Sequence, residues 1–445
     1  MNMAFPQWVR ECLDQLEQAG YAAYAVGGCV RDACLGLIPH DYDLCTQALP
    51  EETCAVFQDR KLVLAGIKHG TVGVVTDRGV VEITTFRAEG GYGDNRHPDW
   101  VRFVPEVEAD LARRDYTINA MAYSPTRGFA DPFGGREDLQ NRVLRTVGDP
   151  VTRYQEDALR ILRGVRFAVR FSLQVEEETR KAMFSQRGLL RNLARERVME
   201  ELCKLLPLVD ARELKEFAPV LGAVIPELEP MVGFDQHSPH HAYDLFTHTA
   251  LVTEHVPQDL ILRWAALLHD TGKVTTFTRD ENGRGHFYGH AQASAEIADR
   301  VLQELKAPTA LRQQVDTLVE QHMTPLMPDK KLLRRRISRL GWENAQRLWY
   351  LQRADFCSKG IEDPGGLERF RQVREEMLEL QAENSCLSLH DLAVNGNDLM
   401  ALGYRGKEIG ACLSSLLARV LDETLENDKK ILLAAAREEY KGKTE

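Results

Sequence analysis

The sequence predicts an α+β chain in which a small sheet-bearing head is followed by helical units. Short apolar runs fill the first third: AYAVGG, HDYDLCT, KLVLAG, GTVGVVTD and GVVEITTF, separated by Gly, Pro and Asp-Arg-Gly turns. After about Asp138 these strand signals stop and long helical patterns take over. At 445 residues the chain is also several times the usual domain size, so it is expected to hold more than one core.

In chain order, residues 7–19 carry apolar side chains at helical spacing and end at Gly20, predicting an opening helix. The apolar runs that follow predict the sheet. QEDALRILRGVRFAVR (155–170) and RERVMEELCKLL (195–206) predict long helices. Breaks at Pro219–Gly222, Pro226–Pro230 and Ser238–Pro239 predict a boundary before a second helical unit that begins near His241.

Hydrophobic residues at 44% and charged residues at 28% are globular proportions, which leaves no long polar tract to remain unfolded. A net charge of −11 argues against a protein that coats nucleic acid by bulk attraction, so any contact with phosphates needs local basic patches. The nine cysteines are scattered, without zinc or redox spacing, and read as reduced thiols of a cytoplasmic protein. Met1–Arg10 lacks a signal-peptide pattern and no stretch reaches the ~18 apolar residues of a membrane span, so no membrane partner is expected.

The first chemical signal is DYDL. Asp41 and Asp43, two apart on an expected strand, point to one face and can hold the same pair of hard cations, as Mg²⁺ and a triphosphate require. Upstream, Gly27 and Gly28 lie between an apolar strand and a helix, where backbone N–H groups can approach phosphate oxygens, and Arg31 adds a charge one turn on. Taken singly, Gly-Gly reads equally as an ordinary turn and Asp-x-Asp as a solvated strand end. Glu82, in VVEITTF, is either a third carboxylate near the metals or the solvent face of an edge strand.

GGCVRD, DYDLCT, GIKHGTVGVV, ARRDYTINAMAY, DPFGGREDL and EDALRILRGVRF, in this order and spacing, resemble the class II tRNA nucleotidyltransferases and the related bacterial poly(A) polymerases, closely over residues 20–205. The resemblance implies a DNA polymerase β-like head over 1–140, a helical neck and RNA-binding body over 141–235, and a helical tail over 366–445. It implies transfer of C, C and A from CTP and ATP to the 3′ end of tRNA, releasing pyrophosphate with Mg²⁺. By the same carry-over, Asp41 and Asp43 are the Mg²⁺ ligands, Gly28 and Arg31 triphosphate contacts, and Arg114, Asp115 and Asn119 the group around the ribose. Asp157, Arg160, Arg163 and Arg166 fall on the nucleotide-binding helix; without the motif they would read as a charged surface helix. Two departures stand out: Leu37 where the family often has a basic residue, and Tyr116 where Phe is commoner.

An acid beside an arginine suits a choice of C and A. Cytosine and adenine each offer an amino donor next to a ring-nitrogen acceptor, so a carboxylate accepts from the one while a guanidinium donates to the other. Guanine and uracil present a carbonyl and a ring N–H instead, and both pairings fail. The stretch AEGGYGDNR (88–96), with Glu89, Asp94 and Arg96, resembles the flexible loop used in adding the last A, and reads equally as an exposed hairpin.

A second constellation comprises His248, His269, Asp270, His290, His322 and Asp355, with LLHDTGK at its centre. It resembles the metal site of HD phosphohydrolases over 236–365, with His248, His269, Asp270 and Asp355 as ligands to a second divalent metal, Ni²⁺, Mn²⁺ or Mg²⁺. His237, His240 and His241 read as surface loop, and DKKLLRRRISRL (329–340) as either a phosphate contact or a solvated helix face. Set against the CCA-adding reading are a poly(A) polymerase, whose extra basic signature is absent at GIKHGTVGVV, an HD phosphohydrolase as the principal activity, and a non-catalytic RNA-binding protein.

Overall fold

The computed structural model describes residues 3, 5–91, 100–238, 241–361, 363–383 and 385–441. They form two compact units, 1–209 with 216–226, and 210–215 with 227–445.

The first unit is built on strands β1 (Ala23–Val26), β2 (Asp43–Thr46), β3 (Leu62–Val63), β4 (Thr71–Thr76) and β5 (Gly79–Thr85), a separate hairpin β6 (Arg87–Gly90) and β7 (Trp100–Phe103), and strands β8 (Ala122–Ser124) and β9 (Gly128–Ala130). Seven strands make one mixed sheet in the order β3-β4-β5-β2-β1-β8-β9, in which β2 and β5 run parallel and the other neighbours antiparallel. The opening helix, Gln7–Gln18, buries Val9, Cys12, Leu13 and Leu16, the one stripe that its 3.6-residue period supplies. Val26, Cys45, Phe86, Leu111 and Ala122 lie in the core beneath the sheet.

Past the sheet the unit is helical. The pattern over 155–170 predicts one helix, but the structure has two, Pro150–Glu156 and Leu159–Phe171. Asp157 sits in the break with extended backbone, and its carboxylate accepts the Leu159 N–H at 3.1 Å, offering the chain a turn in place of the helical ladder. The second helix buries Leu159, Ile161, Leu162, Val165, Phe167 and Val169, and helix Arg195–Leu205 packs along it. Short strands β10 (Val143–Leu144) and β11 (Gln174–Val175), which flank this pair of helices in the chain, run parallel to each other.

In the second unit, helices Leu245–His255, Leu260–Leu268, His290–Glu304, Thr309–Gln321 and Trp342–Cys357 enclose a core that includes Phe246, Trp264, Leu302, Leu318 and Leu351. A hairpin, β12 (Thr278–Arg279) and β13 (Gly285–His286), lies at its edge. The C-terminal helices gather round Leu399, Tyr404, Cys412, Leu416 and Leu432. The basic helix Lys330–Leu340 is engaged with them: Lys330 pairs with Glu379 at 2.7 Å, Arg335 with Asp422 at 2.5 Å, and Arg334 with Glu423. Much of the charge that reads as a free basic face in sequence is therefore matched by carboxylates of its own unit. Among the described residues, no helix is long and apolar enough to cross a membrane.

Candidate functional site

The head site is set by strand register. Asp41 lies two residues before Asp43, the first residue of β2, so only Asp43 is on the strand itself. Across the parallel pair, Asp43 faces Glu82. Because β5 lies between β4 and β2, Glu82 is not on an edge strand, although its side chain is exposed between buried Val81 and Ile83. Solvent reaches the Asp43 side chain, yet the surrounding protein together with the Asp41 and Glu82 carboxylates pushes its pKa up to about 6, against the pull of Arg114. Crowded carboxylate oxygens of this kind are a fitting donor set for a hard divalent cation.

Arg114 approaches this group through a gap that only glycine leaves. Gly27 has a φ of +75°, and a β-carbon there would stand 2.9 Å from the Arg114 guanidinium. Asp110 takes the same guanidinium at 3.2 Å. Gly28 follows as the first residue of helix Gly28–Cys34, which carries Arg31 inward to a buried position.

Arg31 opens a continuous polar chain. It donates to Asn119 at 2.6 Å and to Asp32 at 2.7 and 2.8 Å; the Asn119 amide donates to Asp115 at 3.0 Å; and Arg163 donates to the other Asp115 oxygen at 2.9 Å. Burial would raise the Asp115 pKa, but Arg163, the Asn119 amide and Arg160 hold it down to about 2. Four residues that the resemblance places around the nucleotide are thus joined side chain to side chain.

The base-reading candidates are gripped separately. Asp157 is held by Arg197 at 3.0 Å, and Arg160 by Glu156 at 2.7 Å and by the carbonyls of Arg153 and Arg113 at 3.2 and 3.0 Å. Arg166 is buried and donates to Glu201 at 2.6 Å, and the other Glu201 oxygen lies 3.9 Å from Arg163, so Arg166 adjoins the end of the Arg31–Arg163 chain. Sequence reading missed Arg197 and Glu201; their only signal was the i, i+4 spacing within RERVMEEL. Of the 88–96 stretch, Ala88–Gly90 belong to β6, where Glu89 pairs with Arg87 at 2.5 Å and Arg113 at 3.1 Å; Asp94 and Arg96 lie outside the described residues.

The second unit holds a metal-type cluster. His248, His269, His290 and His322 each place Nδ1 on a main-chain carbonyl, of Ser358 (3.1 Å), Ala266 (2.8 Å), Phe287 (2.8 Å) and Val319 (2.6 Å). Each carbonyl fixes the tautomer and leaves the Nε2 lone pair free for a ligand. All four Nε2 atoms are buried without a hydrogen-bond partner, as is Asp270 Oδ1. They surround Asp270, with His269 at 3.2 Å, His248 and His290 at 3.5 Å and His322 at 3.7 Å. Two ligand triads result, His248–His269–Asp270 and Asp270–His290–His322, sharing one carboxylate. Asp355 Oδ1 lies 3.1 Å from His248 Nε2. His290 and His322 thus stand beside the four residues expected from sequence as further candidate ligands.

Electrostatics suit a cation here. Burial opposes ionisation of Asp270, yet His269 and Lys273 hold it well below the usual carboxylate range; Lys273 lies 2.7 Å away. Burial and the neighbouring His269 push His322 down to about 4, so its imidazole is neutral and available as a ligand. His241, expected on a surface loop, packs its ring 5.0 Å from that of His248 at the cavity beside this cluster. His237 pairs with Asp235 at 3.2 Å, and His240 lies outside the described residues.

Family models match three segments: "Poly A polymerase head domain" over residues 23–145, "Probable RNA and SrmB- binding site of polymerase A" over 172–213, and "HD domain" over 240–358. The chain is similar to the CCA-adding enzyme of Levilactobacillus brevis, 34% identical across 96% of this chain and 97% of that one. It is similar also to the CCA-adding enzyme of Streptococcus thermophilus, 31% identical across 95% and 94%. Among solved structures, that of the Bacillus stearothermophilus CCA-adding enzyme in complex with CTP superposes with a TM-score of 0.71 at 28% identity, covering 98% of each chain.

Proposed function

The chain belongs to the CCA-adding enzyme family, and from that premise we propose that it transfers CMP, CMP and AMP from CTP and ATP to the 3′-hydroxyl of tRNA at the Asp41–Asp43–Glu82 group, releasing pyrophosphate. The observation that carries this reading is the register of Asp43 against Glu82 next to Arg114. Mg²⁺ held by these carboxylates would activate the attacking hydroxyl and steady the leaving pyrophosphate. Arg31 and the Gly27–Gly28 turn receive the triphosphate, and Arg114, Asp115 and Asn119 position the ribose. Asp157 accepts from the amino group of C or A while Arg160 donates to the ring nitrogen; Arg197 and Glu156 keep both heads aimed.

The test is incubation with tRNA lacking its 3′ end and each labelled nucleotide. Incorporation of C twice and A once supports the reading, whereas ATP-only tailing would favour poly(A) addition. Asp41→Ala and Asp43→Ala, folded by circular dichroism, lose incorporation.

A second reading rests on the shared-aspartate cluster: hydrolysis of a phosphoester, with a divalent metal supplying an activated water. Its experiment is metal analysis and a phosphatase assay across Ni²⁺, Mn²⁺ and Mg²⁺, comparing the native chain with the His269→Ala, Asp270→Ala double variant.

A further inference from the structure

The cavity beside the histidine cluster is graded in chemistry from floor to mouth. Asp270, His290 and His322 form its floor, Lys273 and Lys359 its wall, and its rim carries the aromatic rings of His286 and Tyr288. Its volume of about 270 Å³, open to solvent on one side, lies near the lower end, about 300 Å³, of the range of small-ligand sites.

The rim is built as a shelf. The Tyr288 ring lies parallel to that of His286, within 5° and with centroids 5.4 Å apart. His286 is anchored through Nε2 to Asp280 at 2.9 Å. Tyr288 is 79% exposed, so this ring is held in place by a neighbour while most of its surface faces solvent.

The shelf is also tied to the floor. Gly285, one residue before His286, donates its N–H to the His237 carbonyl at 2.9 Å and lies against the Gln236 main chain, with no room for a side chain. Gln236 in turn accepts from Lys273 at 3.0 Å, and Lys273 pairs with Asp270. Distance and orientation between the aromatic rim and the metal-type ligands are therefore fixed by a short chain of contacts. Both wall lysines stand next to floor carboxylates, Lys273 by Asp270 and Lys359 by Asp355 at 3.6 Å, where the oxygens of a phosphoester would find positive charge.

We propose that Tyr288, backed by His286, is the base-binding residue of this cavity, so that the site takes nucleoside phosphoesters in preference to phosphoesters lacking a base. The proposal rests on the phosphoester reading of the second site. An exposed ring accepts any base by stacking, so it selects for a planar group and not for its identity.

Calorimetry on the full chain loaded with Mn²⁺ tests it, using guanosine 3′-monophosphate, whose base does not match the Asp157–Arg160 pair, against ribose 5-phosphate. Native protein is expected to bind the nucleotide about tenfold more tightly, the scale of one base–aromatic stack. Tyr288→Ala should lose that advantage for the nucleotide alone, Tyr288→Phe should keep it, and CCA addition should be unchanged in both. Equal effects of Tyr288→Ala on the two ligands, no effect on either, or no binding of either by native protein overturns the shelf. Failure of the second-site reading shows separately, as Mn²⁺ uptake or hydrolysis absent from the native chain.

Discussion

Asp43 and Glu82 are register partners across the parallel β2–β5 pair, which puts two carboxylates on one face of the sheet with backbones about 4.8 Å apart. Their crowding has a cost that titration exposes. The Asp43 pKa is raised to about 6 from an ordinary 3.8, so in the absence of a cation its ionised form destabilises the native state. That penalty is fully present above pH 6, shrinks as pH falls, and vanishes below 3.8. Metal-free Asp43→Asn should therefore melt higher than the native chain at pH 7 and match it near pH 3.5. Calorimetric melts in EDTA across this range check the sign, and a native chain that is the more stable at pH 7 would contradict it.

Base selection should fail in a directed way. Asp157 can accept from an amino group and cannot accept from a carbonyl, so Asp157→Ala removes the mismatch that rejects UTP and GTP. Discrimination of CTP over UTP, measured as the ratio of kcat/KM, is expected to fall by about tenfold or more, the scale of one bidentate pairing at ~1–3 kcal/mol. Arg160→Ala should weaken CTP and ATP alike. Undiminished rejection of UTP by Asp157→Ala would move base reading to other residues.

How far the sequence carries depends on range. The sheet-then-helix order, the opening helix and the Asp41–Asp43 pair are local patterns, and the structure has a sheet, a helix and a carboxylate group there. Whether Glu82 sits on an edge was illegible, because strand order is set by pairing between segments about 40 residues apart in the chain, as β2 and β5 are. The break at Asp157 was likewise hidden, since the apolar period runs through it while the Asp157 carboxylate is engaged by the Leu159 N–H and by Arg197. His290 and His322 were visible as histidines, but their convergence on Asp270 is a product of helix packing.

Tyr116, the departure from the commoner Phe, makes Gly164 obligatory. Its hydroxyl donates to the Arg160 carbonyl at 2.6 Å and lies 3.3 Å from that of Tyr154, which is buried. A β-carbon at position 164 would collide with this hydroxyl, with the ring carbon that bears it at 2.8 Å, and with Met183 at 2.9 Å. Gly164→Ala is expected to destabilise by about 1–3 kcal/mol, an overpacking cost, despite alanine's better helix propensity. Tyr116→Phe in that background should recover only part of the loss in urea melts, because the contacts with the ring carbon and with Met183 remain. No loss in the single variant would show that the helix shifts freely.

Metal removal should act on stability through the shared-aspartate cluster. Four buried Nε2 lone pairs and Asp270 Oδ1 have no hydrogen-bond partner, and each such atom costs roughly 1–3 kcal/mol when left unsatisfied. A divalent cation binding the native state alone would offset this. At a hundredfold excess over its dissociation constant the gain is about 2.7 kcal/mol, enough to raise the melting temperature of a domain of this size by about 5–10 °C. Native chain stripped with EDTA and reloaded with Mn²⁺ or Ni²⁺ should show that rise, while the His269→Ala, Asp270→Ala double variant should show none. The double variant should still add CCA, because every ligand of this cluster belongs to the unit that lacks Asp41, Asp43 and Glu82. A native chain whose melting is indifferent to every metal offered would mean that the four histidines are held for packing alone.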